Sequence, residues 1–189
     1  MDVNATRNGF TLIELLIALA VATLLLAVGV PSFLELRQQL ALRGAAFQLL
    51  ETVHLGKSEA LKRDLDTLSI KFITPSSGNW CVRVTDTPST CVSCDKQSSA
   101  CAIEGDGGVR GIDSEGYPEL SLSHDYASNV LQVTNRRAGL TAGAGELILS
   151  DSKSVCVVSR ALGQVKICTP SDRDGLLGVN RCEESECAL

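Results

Sequence analysis

The residues of this chain with the plainest chemistry are its eight cysteines: Cys81, Cys91, Cys94, Cys101, Cys156, Cys168, Cys182 and Cys187. Cys91-Val92-Ser93-Cys94 has the spacing of a thiolate metal knuckle, and Cys101 with Cys81 would complete a tetrahedral zinc set. The same spacing serves dithiol redox centres, but no strand–helix–strand pattern surrounds it. All eight lie beyond a long apolar segment and none lies within it. An even number placed beyond such a segment reads as disulfides formed in an oxidising compartment. Disulfides are therefore expected, with no metal and no other cofactor.

Two further groups invite a chemical reading. Glu104, Asp106, Asp113 and Glu115 cluster among glycines, yet their spacing does not alternate as calcium-loop ligands do, and solvated turns are the simpler expectation. His54 falls in a helical stretch and His124 in a loop, with no nucleophile arranged around either. No enzyme activity is expected.

The remaining unusual residue is Glu14. It is the only charge in the 21 residues from Phe10 to Val30, which as a helix would measure about 31 Å and match a hydrocarbon core. A carboxylate at that depth costs on the order of 3 kcal/mol and calls for a partner. A secretory signal would be cut after its apolar run, whereas the candidate cut here, Gly9–Phe10, precedes it, so the apolar helix stays on the mature protein. That cut would create a partner for Glu14, the amine of Phe10. The expected organisation is a leader at 1–9, a transmembrane and assembly helix at 10–31, and a globular domain at 32–189.

Arg7-Asn8-Gly9, Phe10-Thr11-Leu12-Ile13-Glu14 and Pro31 after the apolar run resemble the leader and N-terminal helix of type IV pilins and type II secretion pseudopilins. The resemblance implies that a prepilin peptidase cuts after Gly9 and methylates the amine of Phe10. It also implies that Glu14 meets a neighbouring subunit's N-terminus, so the partners would be other major and minor pilins. Arg7 on the short leader side places the N-terminus in the cytoplasm and the cysteine domain in the periplasm.

These residues need elements to carry them. About 160 residues follow the apolar segment, enough for one core. The chain holds 17 Lys and Arg against 22 Asp and Glu, and an acidic balance is a poor default for nucleic acid. Pro31 is expected to kink the helix. From Ser32 to about Arg63 the pattern stays helical, with Leu36, Leu40, Phe47, Leu50, Ala60 and Leu61 as the apolar stripe. Strands are expected at 67–73, 80–85, 119–122, 130–134, 146–150, 154–159 and 163–168, with turns at 75–79 and 142–145. Residues 86–116 read as coil stapled by cysteines. One long helix packed on an antiparallel β-sheet is an α+β plan.

Pairing 154–159 with 163–168 sets Val158 opposite Lys166 and Cys156 opposite Cys168. Opposed Cβ atoms lie about 4.5–5.5 Å apart, slightly long for a disulfide but reachable with local twist. Cys156–Cys168 is the expected bridge, and the competing arrangement sends either thiol to Cys182 or Cys187 to clamp the tail.

Ser58-Glu59-Ala60-Leu61-Lys62-Arg63, Trp80 and the hairpin from Val155 to Cys168 are similar to the GspH/FimT type of minor pilin and pseudopilin. The type IV pilin-like fold and a structural role in pilus biogenesis follow from that resemblance, with a type II secretion pseudopilin as the alternative. Some FimT-type proteins also bind DNA through a Gly-Arg-x-Arg-like hairpin motif, here Gly163-Gln164-Val165-Lys166. Arg160 and Lys166 are the candidate DNA-binding residues, with Arg136, Arg137, Arg173 and Arg181 nearby and Asp172, Asp174, Glu183, Glu184 and Glu186 opposing them.

Overall fold

The computed structural model describes residues 11–75, 78–105, 108–135, 139–183 and 186–187. The chain divides into two compact units, the first ending at Gln38 and the second beginning at Gln39. One helix, α1 (Leu12–Lys62), supplies the described part of the first unit apart from Thr11, and opens the second. It continues through Pro31, whose missing N–H removes one helical hydrogen bond without ending the helix.

In the second unit α1 buries Leu42, Ala45, Ala46, Leu49, Val53 and Ala60, together with Thr52, Gly56 and Glu59. This is not the stripe the largest apolar residues suggest. Leu40, Phe47 and Leu61 are exposed, Leu50 is half-buried, and of the expected stripe in this unit Ala60 alone is buried. Leu36, in the first unit, is exposed as well. Close helix–sheet approach selects the small residues: a Cβ on Gly56 would stand 3.1 Å from Ile70 Cδ1. Bulky side chains on that face would lift the helix away.

The strands are β1 (Thr67–Ile73), β2 (Cys81–Thr85), β3 (Arg110–Asp113), β4 (Ser121–His124), β5 (Val130–Thr134), β6 (Gly139–Leu140), β7 (Gly143–Ser150), β8 (Lys153–Ser159) and β9 (Val165–Cys168). They form two antiparallel sheets rather than one, β3-β2-β1-β5-β6 and β4-β7-β8-β9. Side chains from both sheets and from α1 share one core, including Phe72, Val82, Leu131, Leu147 and Val155. With four disulfides, the architecture is α+β and type IV pilin-like.

Two expectations are corrected by close approach. Gly143-Ala144-Gly145 is not a turn but the start of β7. A Cβ on Gly143 would lie 2.6 Å from Asp125 Oδ1 and Tyr126 Cε1, and one on Gly145 would lie 3.2 Å from Phe72 Cε1. These glycines mark backbone meeting side chain within a sheet. Within the supposed coil of 86–116, β3 pairs with β2, and Gly111 faces Arg83. There φ is +144°, and a Cβ would fall 1.9 Å from the Val82 carbonyl oxygen.

Trp80 precedes β2, is buried, and donates its indole N–H to the Leu120 carbonyl at 2.5 Å. It ties the entry of β2 to the segment leading into β4.

Candidate functional site

Three places carry the residues singled out by the sequence: the N-terminal segment, the cysteine loop, and the last hairpin with the tail. Gly9 and Phe10 lie outside the described residues. Glu14 lies in the first turn of α1, where it forms a reciprocal cap with Thr11. The Glu14 amide donates to Thr11 Oγ1 at 3.3 Å, while Glu14 Oε2 accepts from the Thr11 hydroxyl at 3.3 Å and from its amide at 3.4 Å. This is a capping box. Thr11 was missed as a partner, although Thr11-Leu12-Ile13-Glu14 carries the signature. Beyond it, Leu12, Leu15, Leu16, Leu19, Leu24, Leu25 and Leu26 are all exposed, an apolar surface suited to lipid or to like helices.

In the cysteine loop the disulfides are Cys81–Cys94 and Cys91–Cys101, so the thiolate-knuckle spacing belongs to two different bridges. Arg83 is buried in β2 and reaches into this loop, donating to the Cys94 carbonyl at 2.9 Å and the Ile112 carbonyl at 3.4 Å. Burial pushes its guanidinium below the usual arginine range, opposed by Asp113 at 3.6 Å. Lys96 lies 3.4 Å from Asp113 and 2.5 Å from Glu115. Hydrogen bonding to Glu115 and Asp113 raises its ammonium. Asp113 and Glu115 are thus answered by protein cations, and the Glu104 carbonyl accepts from Arg63 at 2.5 Å. Asp106 lies outside the described residues.

Among the described residues, neither histidine has a nucleophile arranged around it. His124 packs on Phe72 with ring centroids 4.9 Å apart, and burial pushes its imidazole down. Phe72 also stacks on Tyr126, whose hydroxyl meets Ser159 Oγ at 3.0 Å. Burial pushes that phenol up to about 12. His54 lines a cavity of about 400 Å³ with Arg160, Gly163, Gln164 and Lys166.

At the hairpin the expected register holds: Cys156 faces Cys168 and Val158 faces Lys166. The expected Cys156–Cys168 bridge does not form. Cys156 is bonded to Cys187 and Cys168 to Cys182, which is the tail-clamping arrangement. Directly opposed ladder positions hold their Cβ atoms too far apart for easy closure, and both side chains join a small cluster with Ala144, Val158 and Cys182, against which Cys187 packs. The tail is further held by Thr169 N–H to the Asn180 carbonyl and Cys182 N–H to the Thr169 carbonyl, both 2.8 Å.

The candidate DNA-binding cations are engaged by that tail. Arg160 pairs with Glu186 and, at 3.4 Å, with Glu183; Lys166 pairs with Glu186 and, at 4.0 Å, with Glu183. Hydrogen bonding from Lys166 is the largest influence pulling the Glu186 carboxyl down to about 2, with Arg160 adding to it. Arg173 and Arg181 donate to backbone carbonyls of Asp151, Pro170, Ser171 and Arg173. Arg136, Arg137 and Glu184 lie outside the described residues. Among the described residues, the charges of Arg160 and Lys166 are thus compensated by Glu183 and Glu186.

The described N-terminal segment is thus an apolar helix with an acid in its first turn. Residues 4–30 match the prokaryotic N-terminal methylation motif. The motif is type IV prepilin-like, supports a type IV pilin or pseudopilin, and marks a structural protein rather than an enzyme. A prepilin-like motif implies processing by prepilin peptidase and assembly with other pilins, and its apolar helix fits a membrane-anchored pilin. No curated protein and no solved structure matches the chain.

Proposed function

We propose that this chain is a minor pilin of a type IV pilus, of the GspH/FimT kind, helping to initiate or tip the fibre. The observation that carries this reading is the prepilin-like motif at residues 4–30 on an apolar helix that runs on into a disulfide-stapled α+β domain. Prepilin peptidase would cut after Gly9 and methylate Phe10, leaving the helix from Phe10 to Pro31 in the inner membrane and the domain in the periplasm. On assembly Glu14 would exchange its bonds to Thr11 for the Phe10 amine of a neighbouring subunit. An acid costing about 3 kcal/mol in lipid then favours extraction, because the fibre offers a counter-charge that lipid lacks. Four disulfides stapling one loop and the tail suit a domain carried outside the cell.

The experiment compares wild type with Glu14→Ala in cells. Wild type should be recovered in sheared surface fibres, beginning at a methylated Phe10, while Glu14→Ala should be cleaved but stay in the membrane. Normal recovery of Glu14→Ala in fibres overturns the role given to Glu14. Wild type absent from surface fibres, but needed for protein secretion, would move the chain to the type II secretion pseudopilins.

A further inference from the structure

The cysteines fall into two separate clusters. Cys81, Cys91 and Cys101 are buried together with Cys94 packed against them, while Cys156, Cys168 and Cys182 form the other with Cys187. In the second cluster the two bridges touch each other. The sulfurs of Cys156, Cys182 and Cys187 all lie within 4.8 Å of one another, although Cys182 is bonded to neither of the other two but to Cys168. Cys156 and Cys168 also face each other across the β8–β9 ladder. Each sulfur therefore has a second partner close to the one it holds. Cys156, Cys168 and Cys182 are buried, whereas Cys187 is half-buried, so an external thiolate meets this cluster first at Cys187. As far as Cys182 the tail is also seated without sulfur, by the backbone bonds of Thr169 to Asn180 and Cys182 and by Arg181 donating to the carbonyls of Pro170, Ser171 and Arg173. Beyond Cys182 its covalent hold is the Cys156–Cys187 bond, beside the ion pairs of Glu183 and Glu186 with Arg160 and Lys166.

We infer that these four sulfurs form an exchangeable set, in which a small external thiol shifts the pairing to Cys156–Cys168 and Cys182–Cys187 and so unlatches the end of the tail. The external thiolate attacks Cys187, forming a mixed disulfide there, and Cys156 leaves as a thiolate. Cys156 attacks Cys168 and displaces the Cys182 thiolate. Cys182 then attacks Cys187, which closes the second bond and returns the external thiolate. Three bonds form and three break, and nothing is oxidised or reduced overall. In the exchanged form no disulfide joins the tail to the sheet, so Glu183 and Glu186 are freed from Arg160 and Lys166, and the outer face holding Ala144 and Val158 is uncovered. Directly opposed ladder positions close less easily than the pairs they replace, so the exchanged form is the minor one. The inference goes beyond the pilus reading and does not rest on it.

The test incubates the oxidised full chain in detergent micelles with a substoichiometric amount of reduced glutathione, blocks free thiols with a maleimide, and maps the disulfides by mass after trypsin without reduction. Cleavage after Lys153, Arg160, Lys166, Arg173 and Arg181 leaves Cys156 on peptide 154–160, Cys168 on 167–173, and Cys182 with Cys187 on 182–189. The native pairing links all three peptides into one species. The exchanged pairing joins 154–160 to 167–173 and leaves 182–189 alone with an internal bond. Glutathione should convert about 1–10% of the chains to the exchanged pair of species. Cys187→Ser stops the sequence with Cys156 free, so its blocked thiol should appear on 182–189 as well as on 154–160. A wild type that keeps only the three-peptide species overturns the exchange. A Cys187→Ser thiol found on 154–160 alone overturns the step from Cys156 to Cys168, and linkage of any of these peptides to Cys81, Cys91, Cys94 or Cys101 overturns the confinement of exchange to one cluster.

Discussion

Replacing Cys168 and Cys182 together by serine isolates what the inner tail link contributes. These residues are 14 positions apart, and closing a loop of that size in the unfolded chain is worth about 3 kcal/mol. The outer link, Cys156–Cys187, spans 31 positions and encloses the inner one. Without the inner link the outer one closes a longer unfolded loop, which returns about 0.5 kcal/mol. The native tail keeps its backbone bonds at Thr169 and its outer anchor, so little native contact is lost. The net cost is about 2.5 kcal/mol, or a fall in Tm of about 5–10 °C for a domain of this size. Thermal unfolding of the full chain in detergent, followed through the near-ultraviolet signal of the single tryptophan, Trp80, measures it. A fall below about 2 °C would show that the loop closure is not what the link supplies. A fall beyond about 15 °C with the tail newly open to trypsin would show that the tail's seat depends on the bond itself.

Three other expectations follow from the same geometry. Gly111→Ala puts a Cβ 1.9 Å from a backbone oxygen at φ +144°, so urea unfolding should show a loss on the order of 3 kcal/mol; a loss under about 1 kcal/mol would mean β3 is not paired as described. Asp113→Leu takes the carboxylate from beside the buried Arg83 guanidinium and leaves it only its carbonyl partners at Cys94 and Ile112, so it should cost about 3 kcal/mol, more than Arg83→Met, which removes the charge and keeps most of the volume; the reverse order would refute the account of this pair. Glu186, at about 2 in the folded chain against an ordinary 4.5, contributes stability that is present above the unfolded value and lost as pH falls through about 2. Its side-chain carboxyl carbon signal should therefore titrate near pH 2, and a midpoint near 4.5 would dissolve the tail's ion pairs.

The N-terminal half of this protein is legible from sequence because its signals are local. A run of 21 residues that holds a single charge, with a glycine before it, specifies a membrane-length helix through composition and length alone. The cap between Thr11 and Glu14 was equally open to view, since a capping box needs four consecutive residues and nothing else. The strands of β1, β5 and β8 show as short apolar runs bounded by turn residues, and the register of the last hairpin follows from its turn.

What sequence left undecided was every choice made by surfaces far apart in the chain. Which face of α1 turns inward depended on how closely a sheet could approach, so small residues won over larger ones. Glycines at 143 and 145 looked like a turn because their isolation from side chains is the same in a loop and in a strand crowded by Phe72 or Tyr126. The charge of the hairpin could be counted but not assigned, since Glu183 and Glu186 reach Arg160 and Lys166 only after the tail has folded back. The cysteine pairing was settled last of all: sequence gives which sulfurs are present and that they oxidise, while the bond each makes belongs to whichever partner the finished fold brings within reach.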